Sequence, residues 1–230
     1  NVTVISDGYN GKYWNDGYSN GAVLTIDSED RIHVVFQDNV EGPWGSDYEI
    51  FYVFFTPGIG WSNVTVISDG YDGIYWNDGN SYDPSITVDS NNNIHVVWYD
   101  YTEGFWGSDT EIFYVNFTST VGWSNVTVIS DGYNGKYWNE AGSYDPRIGV
   151  DESDKIHVVW QDETSGIWGS DPEIFYVNFE HGTGWSNITV ISDGYDGKYW
   201  NDGDSTRPVI AFTNDKIFVV WYDTTDGKWG

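Results

Sequence analysis

The chain has 230 residues, with 14 Trp, 18 Tyr and 11 Phe but a single Leu (Leu24), three Ala and no Cys or Met. The best helix formers are nearly absent while residues suited to a pleated surface abound, so helical bundles, coiled coils and doubly wound α/β folds are excluded and an all-β fold is expected. A net charge of −27 leaves no basic stripe for a nucleic-acid partner and would be repelled by an anionic membrane surface.

The longest apolar run, Ile50 to Phe55, is far below the ~20 residues that cross a bilayer, so membrane insertion is not expected. Without Cys there are no disulfides, zinc–thiolate sites or thiol nucleophiles. The chain opens at Asn1 without a signal-like apolar stretch, so it reads as a mature or excised piece of a longer product.

In chain order the first feature is a repeat. NVTVISDGY starts at Asn1, Asn63 and Asn125, and NITVISDGY starts at Asn187, a period of 62. Residues 63–124 and 125–186 share 42 identities. The repeat boundaries are 1–62, 63–124, 125–186 and 187–230, with the last unit truncated. Each unit offers four strands separated by turn signals. In the second unit strand A is Pro84 to Asp89, followed by the polar turn Ser90 to Asn93. Strand B is Ile94 to Tyr99, and a long loop then leads to strand C, Glu111 to Phe117. Strand D is Trp123 to Ile129, and a second long loop leads to the next strand A. Strands B and C are apolar on both faces, as in sheets packed on both sides.

Four short antiparallel strands repeated in tandem predict a β-propeller of 62-residue, four-stranded blades. A β-solenoid or a string of sandwiches is the structural alternative. The last unit lacks strand C, which makes a closed ring of four awkward. Further blades, from a longer chain or from other copies, are therefore expected.

The segment DPSITVDSNNNIHVVWYD (Asp83 to Asp100), followed by EIFYVNF (Glu111 to Phe117), resembles the sialidase-like (BNR-type) propeller repeats of bacterial and archaeal secreted proteins. The likeness recurs in all four units, without strand C in the last. It implies a propeller fold and an extracellular or cell-surface setting, and it carries no activity. The Asp-box pattern S-x-D-x-G-x-T-W is absent. Sialidases also use an arginine triad, whereas this chain has only Arg31, Arg147 and Arg207, at three different repeat positions.

Propeller topology puts the A–B and C–D turns on one face and both long loops on the other. The loop face carries two readings. Carboxylates at the ends of strands B and C, Asp38, Asp47 and Glu49, Asp100, Asp109 and Glu111, and Asp162, Asp171 and Glu173, are the residue types that hold Ca2+ through several oxygens. The same residues also suit turn capping. The aromatics Tyr13, Trp14, Tyr75, Trp76, Trp106, Tyr137, Trp138, Trp168, Tyr199 and Trp200 are candidates for stacking on sugar rings, or for packing between loops and blades.

His33, His95 and His157 recur in strand B, where the fourth unit has Phe218, a pattern that reads as core packing. Asn1, Asn63, Asn116, Asn125 and Asn187 begin N-x-T sequons, which are glycan acceptors in a secreted protein. No catalytic residue is assigned, because near-identical blades present the same chemistry. The expectation is a non-enzymatic, secreted or cell-surface propeller that binds glycans or other surface ligands with Ca2+ as its ion. The alternatives are a structural or adhesive repeat array of a larger extracellular protein or filament, and a degenerate, sialidase-like glycoside hydrolase.

Overall fold

The computed structural model describes residues 2–7, 15–69, 77–131, 139–193 and 201–226. Every described element is a strand. Blade 1 comprises β1 (Asn20–Ile26), β2 (Ile32–Asp38), β3 (Glu49–Thr56), β4 (Gly60–Trp61) and β5 (Thr65–Val66). Blade 2 comprises β6 (Ser81–Val88), β7 (Ile94–Asp100), β8 (Glu111–Thr118), β9 (Gly122–Trp123) and β10 (Thr127–Val128). Blade 3 repeats this with β11 (Ser143–Val150), β12 (Ile156–Asp162), β13 (Glu173–Glu180), β14 (Gly184–Trp185) and β15 (Thr189–Val190). Two strands follow, β16 (Ser205–Thr213) and β17 (Lys216–Asp223).

All pairings are antiparallel and keep the same register in each complete blade. The hydrogen-bonded sheets run from strand A to strand D, so each blade straddles the repeat boundary drawn at Asn63 or Asn125. Strand D differs from its expected continuous run. It is two short segments on one partner, with β9 pairing Phe117 and Thr118 and β10 pairing Phe113 and Tyr114. Between them the Ser124 hydroxyl takes the place of a ladder carbonyl. Asn116 N donates to Ser124 Oγ at 3.0 Å, and Ser124 N donates to Asn116 O at 2.7 Å. The serine thus satisfies the backbone where the strand departs from the sheet.

The A–B hairpins turn on an aspartate that accepts backbone N–H groups. Asp89 Oδ1 takes Asn91 N at 2.9 Å and Asn93 N at 2.8 Å. The left-handed residue each turn needs is Asp30, Asn92 or Asp154 (φ 59°, 60° and 61°), residue types that tolerate that region.

Blades pack face to face. One core joins Val35, Ile50 and Tyr52 of blade 1 to Val96, Trp98 and Phe113 of blade 2. The equivalent core joins Val97, Ile112 and Tyr114 to Val158, Trp160 and Phe175. The first strands of successive blades, β1, β6, β11 and β16, are neighbours. The architecture is a β-propeller arrangement of three complete blades and a two-stranded fourth, in which each sheet buries its apolar faces against the next.

One buried carboxylate per blade locks this geometry. Asp100, at the end of β7, has no exposed surface. Its Oδ2 accepts Asn77 Nδ2 (2.9 Å), Ser81 Oγ (2.6 Å) and Trp98 Nε1 (2.8 Å), and its Oδ1 accepts Thr102 N (2.8 Å). Asp162 repeats the set with Asn139, Ser143, Trp160 and Thr164. Burial pushes the Asp100 carboxyl above its ordinary value, against the pull of its hydrogen bonds. Replacing Asp100 by Asn turns one acceptor into a donor facing donors. Asp100→Asn is expected to cost about 3 kcal/mol, read as a lower midpoint in urea denaturation with an unchanged slope.

Candidate functional site

Strand A of each blade starts with a bulge. Pairing slips between Tyr82 and Ser85, between Tyr144 and Arg147, and between Thr206 and Val209. The bulge residue is left-handed in every blade: Gly21 (φ 64°), Asp83 (48°), Asp145 (52°) and Arg207 (55°). Three of these precede a proline, which disfavours αR and favours extended backbone. Holding them left-handed costs of order 1–3 kcal/mol each, and such strain clusters at functional sites.

A cleft of about 650 Å³ opens beside these bulges, lined by Tyr144, Asp145, Thr206 and Arg207 from strands A and by Tyr99, Gln161 and Tyr222 from strands B. Tyrosine rings form a continuous band. Tyr48 lies 5.1 Å from Tyr82, Tyr82 lies 5.6 Å from Tyr99, and Tyr99 lies 5.5 Å from Tyr144. Burial, then the charge of Asp83, pushes the Tyr99 phenol up. Burial does the same for Tyr82 and Tyr144. The rings therefore stay neutral, with apolar faces and O–H groups that donate and accept.

Burial, then the neighbouring charge of Asp145, raises the Asp83 carboxyl above its ordinary value, and the Arg147 guanidinium opposes that rise. The two carboxyls thus lie near enough for the charge of one to act on the other. Asp83 N donates to Gln37 Oε1 across the first blade interface at 2.8 Å. Of the three arginines, Arg147 and Arg207 come to this region, whereas Arg31 binds Asp27 in an A–B turn at 2.5 Å.

Composition and motif did not reveal this cleft, although the sequence carries a signal for it. The blades were expected to present the same chemistry, yet they differ where the cleft forms. Aligned positions 21, 83, 145 and 207 read Gly, Asp, Asp and Arg. Positions 37, 99, 161 and 222 read Gln, Tyr, Gln and Tyr.

The predicted sugar-stacking aromatics fall into two groups. Tyr13, Trp14, Tyr75, Trp76, Tyr137, Trp138, Tyr199 and Trp200 lie outside the described residues. Trp106 is half-buried in the B–C loop, edge-on to Phe113 at 5.4 Å, with Nε1 donating to Thr102 O at 2.9 Å. Trp168 repeats this on Phe175 and Thr164. Both rings are engaged in packing.

The predicted metal ligands also divide. Asp38, Asp100 and Asp162 are the locking carboxylates of their blades. Glu49, Glu111 and Glu173 are fully buried, and each accepts a serine hydroxyl on Oε2, from Ser68, Ser130 and Ser192. Their Oε1 atoms are enclosed and have no hydrogen-bond partner among the described residues, and the same holds for the Oδ2 atoms of Asp47, Asp109 and Asp171. Burial, reinforced by neighbouring carboxylates, lifts these glutamates to about 10, 9 and 8. Asp69, Asp131 and Asp193, which lie outside the ligand set expected from sequence, add charge to the same pockets. Among the described residues no three acidic or histidine side chains stand ready to hold a metal ion.

His33 pairs with Tyr52 Oη at 2.6 Å and Asp27 Oδ2 at 3.1 Å, and His157 repeats this with Tyr176 and Asp151. These are packed histidines. Of the sequon asparagines, Asn63, Asn125 and Asn187 are exposed on the outer edge, Asn116 is half-buried, and Asn1 lies outside the described residues.

No family model matches the chain, and no curated protein matches it. Among solved structures, a protein of unknown function from Dyadobacter fermentans DSM 18053 superposes with a TM-score of 0.60 at 11% identity, over 91% of this chain and 63% of its own. A Hadza microbial sialidase gives 0.56 at 11%, over 86% of this chain and 40% of its own. A thermostable family-43 glycoside hydrolase gives 0.53 at 10%, over 91% and 67%. This likeness agrees with a β-propeller and shows the fold alone. The chain spans under two thirds of the length of the first two.

The Asp83–Asp145 pair yields a signed expectation. A carboxyl raised by folding contributes most below its unfolded value and loses that contribution as pH rises through the folded value. Asp145→Asn is therefore expected to lower the Asp83 pKa in a carboxyl NMR titration. It should also raise the melting temperature near neutral pH, with the gain fading in acid.

Proposed function

We propose that the chain is a carbohydrate-binding propeller acting outside the cell or at its surface, and that it holds sugar in the tyrosine-lined cleft. The observation that carries this reading is the convergence of three tyrosine rings with Asp145, Gln161, Thr206 and Arg207 in one cleft. Tyr99, Tyr144 and Tyr222 offer ring faces for the C–H surface of a pyranose. Asp145, Gln161, Thr206 and Arg207 offer acceptors and donors for its hydroxyls. A concave site with apolar walls and a few polar groups is what a small ligand needs. The presence of a sialidase and a family-43 glycoside hydrolase among similar folds supports a carbohydrate ligand.

Binding is favoured over hydrolysis. Glycosidases use a pair of carboxyls flanking the scissile bond, whereas among the described residues Asp145 is the acid that lines this cleft. Ca2+ is proposed at the three pockets formed by Asp47 and Glu49, Asp109 and Glu111, and Asp171 and Glu173. Their enclosed, unpartnered oxygens would supply two ligands each, with water and backbone carbonyls completing the shell. An adhesive repeat array is the second reading. It is favoured by the tandem packing, in which each blade buries its apolar residues against the next in the same way.

Glycan-array screening followed by calorimetry tests the binding reading. Tyr99→Ala and Tyr144→Ala are each expected to weaken binding at least about tenfold, the scale of one lost ring contact. An array without hits at high protein concentration, or variants that bind as the parent does, would remove it. A fluorogenic glycoside panel should show no turnover. Melting after chelation, then after Ca2+ addition, should show a rise that Glu111→Gln reduces. An unchanged melting temperature would discard the ion.

A further inference from the structure

We propose that the folded chain accepts N-linked glycan at Asn63, Asn125 and Asn187, and that Asn116, in a sequon of the same type, stays unmodified. The assignment rests on the reading that the chain acts outside the cell or at its surface. The motif N-x-T ranks the four sites equally. The sheet separates them.

Three of the sites fall where strand D is interrupted. Asn125 lies between β9 and β10, and Thr127 opens β10. Asn63 and Thr65 hold the same places beside β4 and β5, and Asn187 and Thr189 beside β14 and β15. All three asparagines and all three threonines are exposed. The residue between them supplies the reason. Val64 is buried in the core of blade 1, and Val126 and Ile188 pack against the cores between blades. Successive side chains of an extended segment point to opposite sides. A middle residue drawn inward therefore turns its asparagine and threonine outward together.

The serine before each site fixes this pose. Ser62, Ser124 and Ser186 donate through Oγ to the carbonyls of Asn63, Asn125 and Asn187 at 2.9, 3.0 and 3.0 Å. The segments are also the outermost of their sheets, paired on one side among the described residues. Glycan there covers an open edge, a recognised guard against strand addition.

Asn116 is placed differently. It stands within β8 opposite His95, and its N–H and C=O are both taken by Ser124. Asn116 and Thr118 are half-buried. β8 is held by β7 on one side and by β9 and β10 on the other. Presenting this sequon to a transferase means pulling strand C out of two ladders, whereas the strand D sites are already at the surface.

The donor is a polyprenyl-diphosphate glycan. The asparagine Nδ2 attacks the anomeric carbon, and an N–C bond forms as the C–O bond to diphosphate breaks. The electron pair leaves with the polyprenyl diphosphate, and the proton from Nδ2 passes to a base of the transferase.

The test is glycopeptide mass spectrometry on the folded chain recovered from the medium or surface of the cells that make it. The expected result is glycan on Asn63, Asn125 and Asn187 and none on Asn116. Asn125→Gln and Thr127→Ala should each abolish the modification at position 125 and leave the other two sites occupied. An exported chain of unmodified mass overturns the proposal, as does equal occupancy of Asn116 and Asn125. A chain found solely inside the cell removes the reading of its location instead. The acceptor assignment is then decided by incubating the purified folded chain with an N-x-T-specific oligosaccharyltransferase and its polyprenyl-diphosphate glycan. Transfer to Asn63, Asn125 and Asn187 ahead of Asn116 upholds it. No transfer, or equal transfer to Asn116, overturns it.

Discussion

A carboxylate with no exposed surface, held by four donors, is the constraint on which the blade depends. Asp100 ends β7, yet its donors come from the end of the preceding long loop, the start of β6, the ring of Trp98 and the start of the next loop. One charge thus fixes where two long loops leave and enter the sheet. Burying it without partners would be prohibitive, and the dense set of hydrogen bonds makes it tolerable. Asp223 shows the balance from the other side. Burial still pushes its carboxyl up, but bonds from Thr225, Trp221 and Ser205 outweigh that in the thinner fourth blade, and the group falls below its ordinary value.

Loops anchored in this way let the chain vary safely elsewhere. The packed B and C strands scarcely change between units, while the bulge at positions 21, 83, 145 and 207 carries Gly, Asp, Asp and Arg. The left-handed bulge survives all three residue types, so the surrounding sheet imposes it. Strain enforced by the scaffold and filled with differing side chains is how a repeat fold acquires an asymmetric cleft.

Much of the fold was legible in the residues. The period of 62, the alternation in strands B and C and the Asp/Asn-rich turns specified sheets, hairpins and tandem packing. The split of strand D was not legible, because Trp123 to Ile129 alternates like an unbroken strand and only the hydroxyl of Ser124 shows where the ladder is interrupted. The cleft was harder to see. A search for shared motifs draws the eye to what the repeats have in common, and the cleft is built from what they do not. The acidic residues divide in a way that the sequence does not display. Asp100 and Glu111 face each other in the ladder, yet the first is saturated with donors and the second keeps a bare oxygen, a distinction that spacing cannot carry.

The A–B turns hold a directional feature. Ser28 N and Oγ reach Asn92 Oδ1 at 3.1 and 2.9 Å, and Ser90 N and Oγ reach Asp154 at 2.9 and 2.6 Å. In both cases the donor lies in the earlier blade and the acceptor in the later one, on the very residue that is left-handed in its turn. The seam between blades therefore has a polarity, like a row of hooks that all face one way. A blade inserted in reverse would set acceptor against acceptor. At both seams this small surface contact runs in the head-to-tail sense and gives the array a direction.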